Sequence, residues 1–194
     1  YVGIDLTSSN KKPSGAAVLG ADGSLEWLGY LDTDADILGC ATSRRPCLVA
    51  IDAPLSLPKG MDCLEEDHAC ESEWPFHGRQ CERELLARGI SLYITNKRSI
   101  IKQMTYRAIA LAEELRNRGL AVVEVYPYAS KVGLFGRMEH KKTTRKGRED
   151  LTRRMRWLVP CLDAHPNALA HDLGELLGCG AHVADLERLS CGAF

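Results

Sequence analysis

The sequence predicts a mixed α/β domain: a five-stranded sheet with a three-stranded antiparallel meander, further parallel strands, and helices on both faces. Three observations carry that expectation. The first thirty residues alternate apolar runs (VGIDL, SGAAVLG, LEWLGYL) with turn residues, the pattern of short strands in series. Two later runs, CLVAID and LAVVEVYP, each follow a helical stretch, and CLVAID is apolar enough to lie inside a sheet covered on both sides. Residues 99–118 place Ile101, Met104, Ala108, Leu111 and Leu115 on one face at helical spacing.

In chain order, ADGS between the second and third runs is a turn of Asp-Gly type. DTDADILGCATSR reads as a short helix capped by Thr33 or Asp34 that crosses back to CLVAID. APLSLPKG is loop, and residues 60–80 lose periodicity. RQCERELLARGI resumes as a helix closed by Gly89, and the helix over 99–118 stops at Gly119. A basic helix around 147–159 and a last helix around 168–189 complete the chain. No internal repeat or low-complexity segment interrupts it.

The 194 residues fit one domain spanning 1–194, with an acidic Cys/His-containing insertion at about 58–78. With 45% hydrophobic and 26% charged residues this is the composition of a soluble globular protein. No apolar run is long enough for a membrane helix, so the expected location is cytoplasmic. The eight cysteines form no Cys-x-x-Cys pair. Between Cys63 and Cys81 lie His68, Cys70 and His77, residue types that bind zinc, in a spacing that matches no common zinc pattern. Free, partly buried thiols are therefore the expected state. The net charge of −1 identifies no partner, but its distribution is uneven. Residues 62–73 carry six acids and no Lys or Arg, whereas 137–156 carry nine Lys/Arg and three acids. A basic stretch of that kind is either a solvated surface or a nucleic-acid face.

Three strands carry a carboxylate where the core should continue: Asp5 in VGID, Asp52 after LVAI and Glu124 in VVE. One such acid would read as a turn cap. Three on neighbouring strands, about 4.8 Å apart, would converge and resist joint ionisation. A divalent cation relieves that repulsion, and hard oxygen donors select Mg²⁺ or Mn²⁺. Two such ions can promote hydrolysis of a phosphodiester. In the last helix, Asp172 and Glu175 lie one turn apart and are the candidates for a fourth acid, with Asp185 farther along.

The meander, the crossing helix, the acid-ended fourth strand and the acid-bearing terminal helix follow the ribonuclease H-like order. The chain resembles the family called domain of unknown function 429 through GIDLT, VAIDAPLSLP, the R-x-C-E-R-E-L segment from Arg79, SIIKQMTYRAIAL and VVEVYPYASK, all within residues 1–135. The resemblance implies a ribonuclease H-like fold and a metal-dependent phosphodiesterase site at Asp5, Asp52, Glu124 and an acid of the last helix. Two features depart from it. The stretch 60–77 is an insertion, and HDLGELLGCG stands where an Asp-Ala-rich opening is expected, which leaves Asp172 and Glu175 both open.

Around this core, Thr7 is a candidate phosphate holder, and Arg79 and Arg83, one turn apart, are candidates to face a substrate backbone. Lys97, Arg98, Lys102 and Arg107 extend that surface, and Tyr126 and Tyr128 either stack on a base or pack in the core. Lys131 is placed to neutralise phosphate charge, with Lys141, Lys142, Arg145 and Lys146 as a salt-sensitive grip. The functional expectation is a metal-dependent nuclease of DNA or RNA using a two-metal mechanism. The alternatives are a non-catalytic nucleic-acid or protein-binding module of the same fold, and an ATP-dependent phosphotransferase of the actin or sugar-kinase type. The last lacks a second glycine-rich phosphate loop. A homodimer is compatible with the sequence and not dictated by it.

Overall fold

The computed structural model describes residues 1–73 and 78–159. Its sheet contains β1 (Val2–Asp5), β2 (Ser14–Leu19), β3 (Leu25–Leu31), β4 (Val49–Ile51) and β5 (Val122–Glu124), in the spatial order β3-β2-β1-β4-β5. β1 pairs antiparallel with β2 and parallel with β4, and β4 pairs parallel with β5. The meander on one side of β1 and the parallel strands on the other make the ribonuclease H-like sheet, with β1 at its centre.

Helices cover both faces. α1 (Asp34–Arg44) and α3 (Lys102–Asn117) lie on the side of Val2, Ile4, Val49 and Ile51, where Ile37, Ala41, Ala108, Leu111 and Leu115 join them in one buried cluster. α5 (Arg145–Leu158) sets Leu151 and Met155 against Ala17, Leu19 and Leu25 on the other face. Burying one such aliphatic side chain contributes about 1.5–3 kcal/mol, which holds α1 and α3 against β1 and β4, and α5 against β2 and β3. α2 (Gln80–Ala87) and α4 (Pro127–Phe135) complete the helices among the described residues.

Most boundaries follow from local chemistry. Thr33 caps α1: its hydroxyl accepts from the Asp36 N–H at 3.1 Å, and the Asp36 carboxylate accepts from the Thr33 N–H at 3.0 Å. α3 begins at Lys102, three residues later than expected, because Asn96 and Ser99 hold a turn through their carbonyls. α4 was not expected as a helix. Pro127 at its first turn has the fixed φ that starts a helix, so only Val125 and Tyr126 separate the end of β5 from α4. α5 starts two residues early because Thr144 accepts from the Gly147 N–H at 3.1 Å. Gly147 also lets the preceding basic loop close onto the helix: a Cβ there would stand 2.0 Å from the Lys141 carbonyl oxygen. The described part of the insertion, through Glu73, contains no helix or strand. The last helix expected near 168–189, with Asp172, Glu175 and Asp185, lies outside the described residues.

Candidate active site

The register decides which acids meet. Ile4 of β1 lies opposite Ile51 of β4, and the Asp52 N–H continues that ladder to the Ile4 carbonyl at 2.9 Å. Asp5 and Asp52 are thus side by side on adjacent parallel strands. By strand alternation both stand on the face opposite the Ile4 and Ile51 side chains. Asp52 is pushed up from the ordinary carboxylate range to about 7, by burial first and by the charge of Asp5 second; Lys142 opposes the shift and Glu124 adds to it. The two central strands therefore end in a close carboxylate pair.

Glu124 is held differently. It lies opposite Ile51, not Asp52, so alternation sends it to the other face of the sheet. Its oxygens are also occupied: Arg79 Nη1 donates to Oε2 at 2.5 Å, Arg79 Nη2 to Oε1 at 2.7 Å, and the Leu55 N–H to Oε2 at 2.8 Å. Glu124, expected as a metal ligand beside Asp5 and Asp52, is engaged here in a fork-to-fork ion pair with Arg79.

Arg79, expected to face a substrate backbone, is turned inward. It is 7% exposed, and its Nε donates to Glu82 Oε1 at 2.8 Å. Burial works against its charge, but pairing with Glu124 and then Glu82 raises its pKa still further. Glu82 is 1% exposed and also accepts from the Arg79 N–H (3.0 Å), the Thr95 N–H (3.0 Å) and the Thr95 hydroxyl (2.6 Å). Sequence reading missed Glu82 and Thr95. The available signal was the Arg-x-x-Glu spacing at the start of α2, which is also a capping-box spacing. Through the Leu55 N–H this network ties the loop that follows Asp52 to β5.

Thr7 is held inside its own turn: its hydroxyl lies 2.9 Å from the Lys12 carbonyl and 3.1 Å from the Ser9 carbonyl. Arg107, expected on an outer surface, donates to the Thr7 carbonyl at 2.8 Å and to Asp34 at 2.6 and 2.8 Å. It clamps the turn after β1 to the start of α1. Arg83 is half-buried in α2.

The basic residues divide. Lys142 is exposed and lies close enough to Asp52 to act on its charge. Lys131 is half-buried, and burial first and Lys142 second lower its proton affinity; its Nζ sits 4.7 Å from the centre of the Tyr128 ring. Tyr126 packs near Tyr128 and donates its hydroxyl to the Ser91 carbonyl at 2.8 Å; burial first and Asp52 second push its pKa up to about 12. Lys142 and Tyr126 therefore border Asp52, and Lys131 lies within reach of Lys142. Lys141 and Arg145 are exposed, and Arg145 donates to Glu149 one turn along α5 at 2.7 Å.

A mixed five-stranded sheet in the ribonuclease H-like strand order, with a carboxylate pair at the ends of its two central parallel strands and Lys142 beside it, is the class these features define. More particularly, the chain belongs to the family described as protein of unknown function DUF429, whose match runs over residues 3–177. A second family, the tRNA pseudouridylate synthase B C-terminal domain, matches residues 168–194. Curated relatives agree with that second match. tRNA pseudouridine synthase B of Geobacter sulfurreducens is 69% identical over 26 residues, and that of Solibacter usitatus 59% over 27. These segments are 13% and 14% of this chain, and the chain spans 9% of the length of either relative. Among solved structures, Thermus thermophilus RuvC is similar at 13% identity and a TM-score of 0.47, over 97% of this chain and 96% of that one.

Proposed function

We propose that this protein is a divalent-metal-dependent nuclease in which Asp5 and Asp52 form the metal-holding pair. The observation that carries the reading is their side-by-side register, with Asp52 pushed to about 7 by burial and by its neighbour. Two hard carboxylates so placed fit Mg²⁺ or Mn²⁺. An ion bound there would supply the Lewis acid that phosphodiester hydrolysis needs. Lys142 and Lys131 attract and orient the phosphate, and Tyr126, fixed by Ser91, limits water access beside Asp52. The Arg79–Glu124 pair positions the loop after Asp52 rather than ligating. A two-ion mechanism needs further donors, and Asp172 and Glu175 are the candidates.

The experiment is cleavage of single-stranded, duplex and branched DNA and of RNA by purified protein with Mn²⁺. Activity is expected to vanish with chelator and in Asp5→Asn. If the wild type cleaves none of these substrates, or Asp5→Asn cleaves as well as wild type, the nuclease reading fails. A second reading, a nucleic-acid-binding module with an incomplete site, is favoured by one observation. Residues 168–194, which carry both remaining acids, are similar to tRNA pseudouridine synthase B. Binding of Mn²⁺ and nucleic acid without cleavage would support it.

A further inference from the structure

The insertion gathers four ligand-type side chains away from the carboxylate pair. One donor atom from each of Asp62, Cys63, His68 and Cys70 can be chosen so that all lie within 4.8 Å of one another. The Cys63 and Cys70 sulfurs are 3.6 Å apart, and His68 Nδ1 is 3.4 Å from an Asp62 oxygen. Metal–ligand bonds of about 2.3 Å to sulfur and about 2.0–2.1 Å to nitrogen or oxygen, at tetrahedral angles, require edges of about 3.8 Å (S to S) and about 3.3 Å (N to O). Both observed separations lie close to those edges. A 3.6 Å gap is also far beyond the roughly 2.05 Å of a disulfide, and both thiols are free. Cys81, included in the sequence-based set, lies in α2 outside the group, and His77 falls outside the described residues.

The surroundings are prepared for a staple. Pro58 to Glu73 has no helix or strand, and long loops of that kind need an ordering device. Its base is closed by the Glu73 N–H donating to the Lys59 carbonyl at 2.9 Å and by a Lys59–Glu73 ion pair at 3.0 Å. Its centre is docked onto α3: Leu64 is fully buried, and its N–H donates to the Tyr106 hydroxyl at 2.6 Å, which in turn donates to Glu65 at 3.0 Å. Lys97 holds the His68 carbonyl from the same side. The cluster thus sits on a fixed floor, with Asp62 and His68 at the surface where an ion enters.

We infer that Asp62, Cys63, His68 and Cys70 form a structural zinc site that pins the insertion against α3. Two thiolates and an imidazole favour zinc over the hard ions suited to Asp5 and Asp52, so the two sites separate by ligand chemistry. The inference is independent of the nuclease reading.

The test uses the full chain, expressed with zinc, purified under reducing conditions without chelator, and assayed by elemental analysis. One zinc per chain is expected. Replacement by Co²⁺ should give thiolate-to-cobalt charge transfer and the visible bands of a tetrahedral ion. Zinc should also protect Cys63 and Cys70 from thiol reagents. Cys70→Ser should abolish both signatures. The surface variant His68→Gln, which leaves the buried floor intact, should weaken zinc about tenfold or more. Asp5→Asn should leave zinc content unchanged. Protein that holds no zinc and shows no cobalt–thiolate absorption overturns the site, as does a Cys63–Cys70 disulfide under those conditions or full zinc retention in both His68→Gln and Cys70→Ser.

Discussion

Asp52→Asn should stabilise the metal-free protein above neutral pH while removing its response to Mn²⁺. A carboxylate whose ordinary value is 3.8 stands at about 7 in the folded chain, so folding disfavours its ionised form. Stability associated with this group is complete below about pH 4 and is lost as pH rises through about 7. The span from 3.8 to about 7 corresponds to about 4 kcal/mol at 1.36 kcal/mol per pH unit. For a chain of this size that is on the order of 10 °C in Tm. An asparagine occupies the same volume and carries no charge to bury or to set against Asp5.

The assay is urea denaturation of wild type and Asp52→Asn with chelator, from pH 4 to pH 8.5. The difference between them isolates Asp52 from the other titrating groups. The two curves should converge near pH 4 and separate as pH rises, the variant becoming more stable by up to about 4 kcal/mol. Millimolar Mn²⁺ at pH 8 should then stabilise the wild type and leave the variant unchanged, since only the aspartate pair binds the ion. A separation that does not grow with pH would refute the argument that burial and Asp5 hold Asp52 protonated. A variant that gains as much as wild type from Mn²⁺ would refute the assignment of Asp52 as a ligand.

Arg79→Ala leaves Glu82 and Glu124 without the guanidinium between them and should lower stability by about 3–5 kcal/mol, read by chemical denaturation. Arg79→Lys should rescue little of it, because a lysine cannot make the forked contact; a loss under about 1 kcal/mol in the alanine variant would show the network to be dispensable. Gly147→Ala places a methyl 2.0 Å from the Lys141 carbonyl, so the basic loop must move from Asp52. Nucleic-acid affinity should fall and its salt dependence weaken, with a stability loss of about 1–3 kcal/mol; unchanged binding would place Lys141 and Lys142 outside the interface.

The sheet was legible because its signals are local. VGID, SGAAVL and LEWLGYL alternate as a meander must, and VAI is apolar enough to be internal, so strand identities followed from a few residues each. Asp5 and Asp52 were legible as a pair for the same reason: each ends a central strand. Glu124 obeys the same sequence rule and is paired with Arg79. Its fate depends on a one-residue offset in the β4–β5 register, and that offset is a property of pairing, not of the segment. Arg79 illustrates the complementary limit. An arginine at a helix start reads as surface, and only the tertiary meeting of α2 with β5 brings two carboxylates to it. The nearness of Lys142 to Asp52 depends on the close approach of the basic loop allowed by Gly147, and that of Lys131 to Lys142 on the unexpected α4.

The two halves of the proposed chemistry rest on different parts of the chain, and this makes them separable. Asp5 and Asp52 are held by the backbone ladder of β1 and β4, with Ile4 and Ile51 buried directly beside them. That placement rests on the sheet and on α1 and α3. A first divalent ion therefore tests the sheet. A second ion needs donors that the sheet does not supply once Glu124 is paired with Arg79, and both remaining candidates fall at residues 172 and 175. The DUF429 match and the tRNA pseudouridine synthase B likeness overlap there, over residues 168–177. If Mn²⁺ binds through Asp5 and Asp52 and cleavage is absent, the reading as a binding module with an incomplete site is favoured; if Mn²⁺ does not bind, the assignment of Asp5 and Asp52 as the metal-holding pair fails.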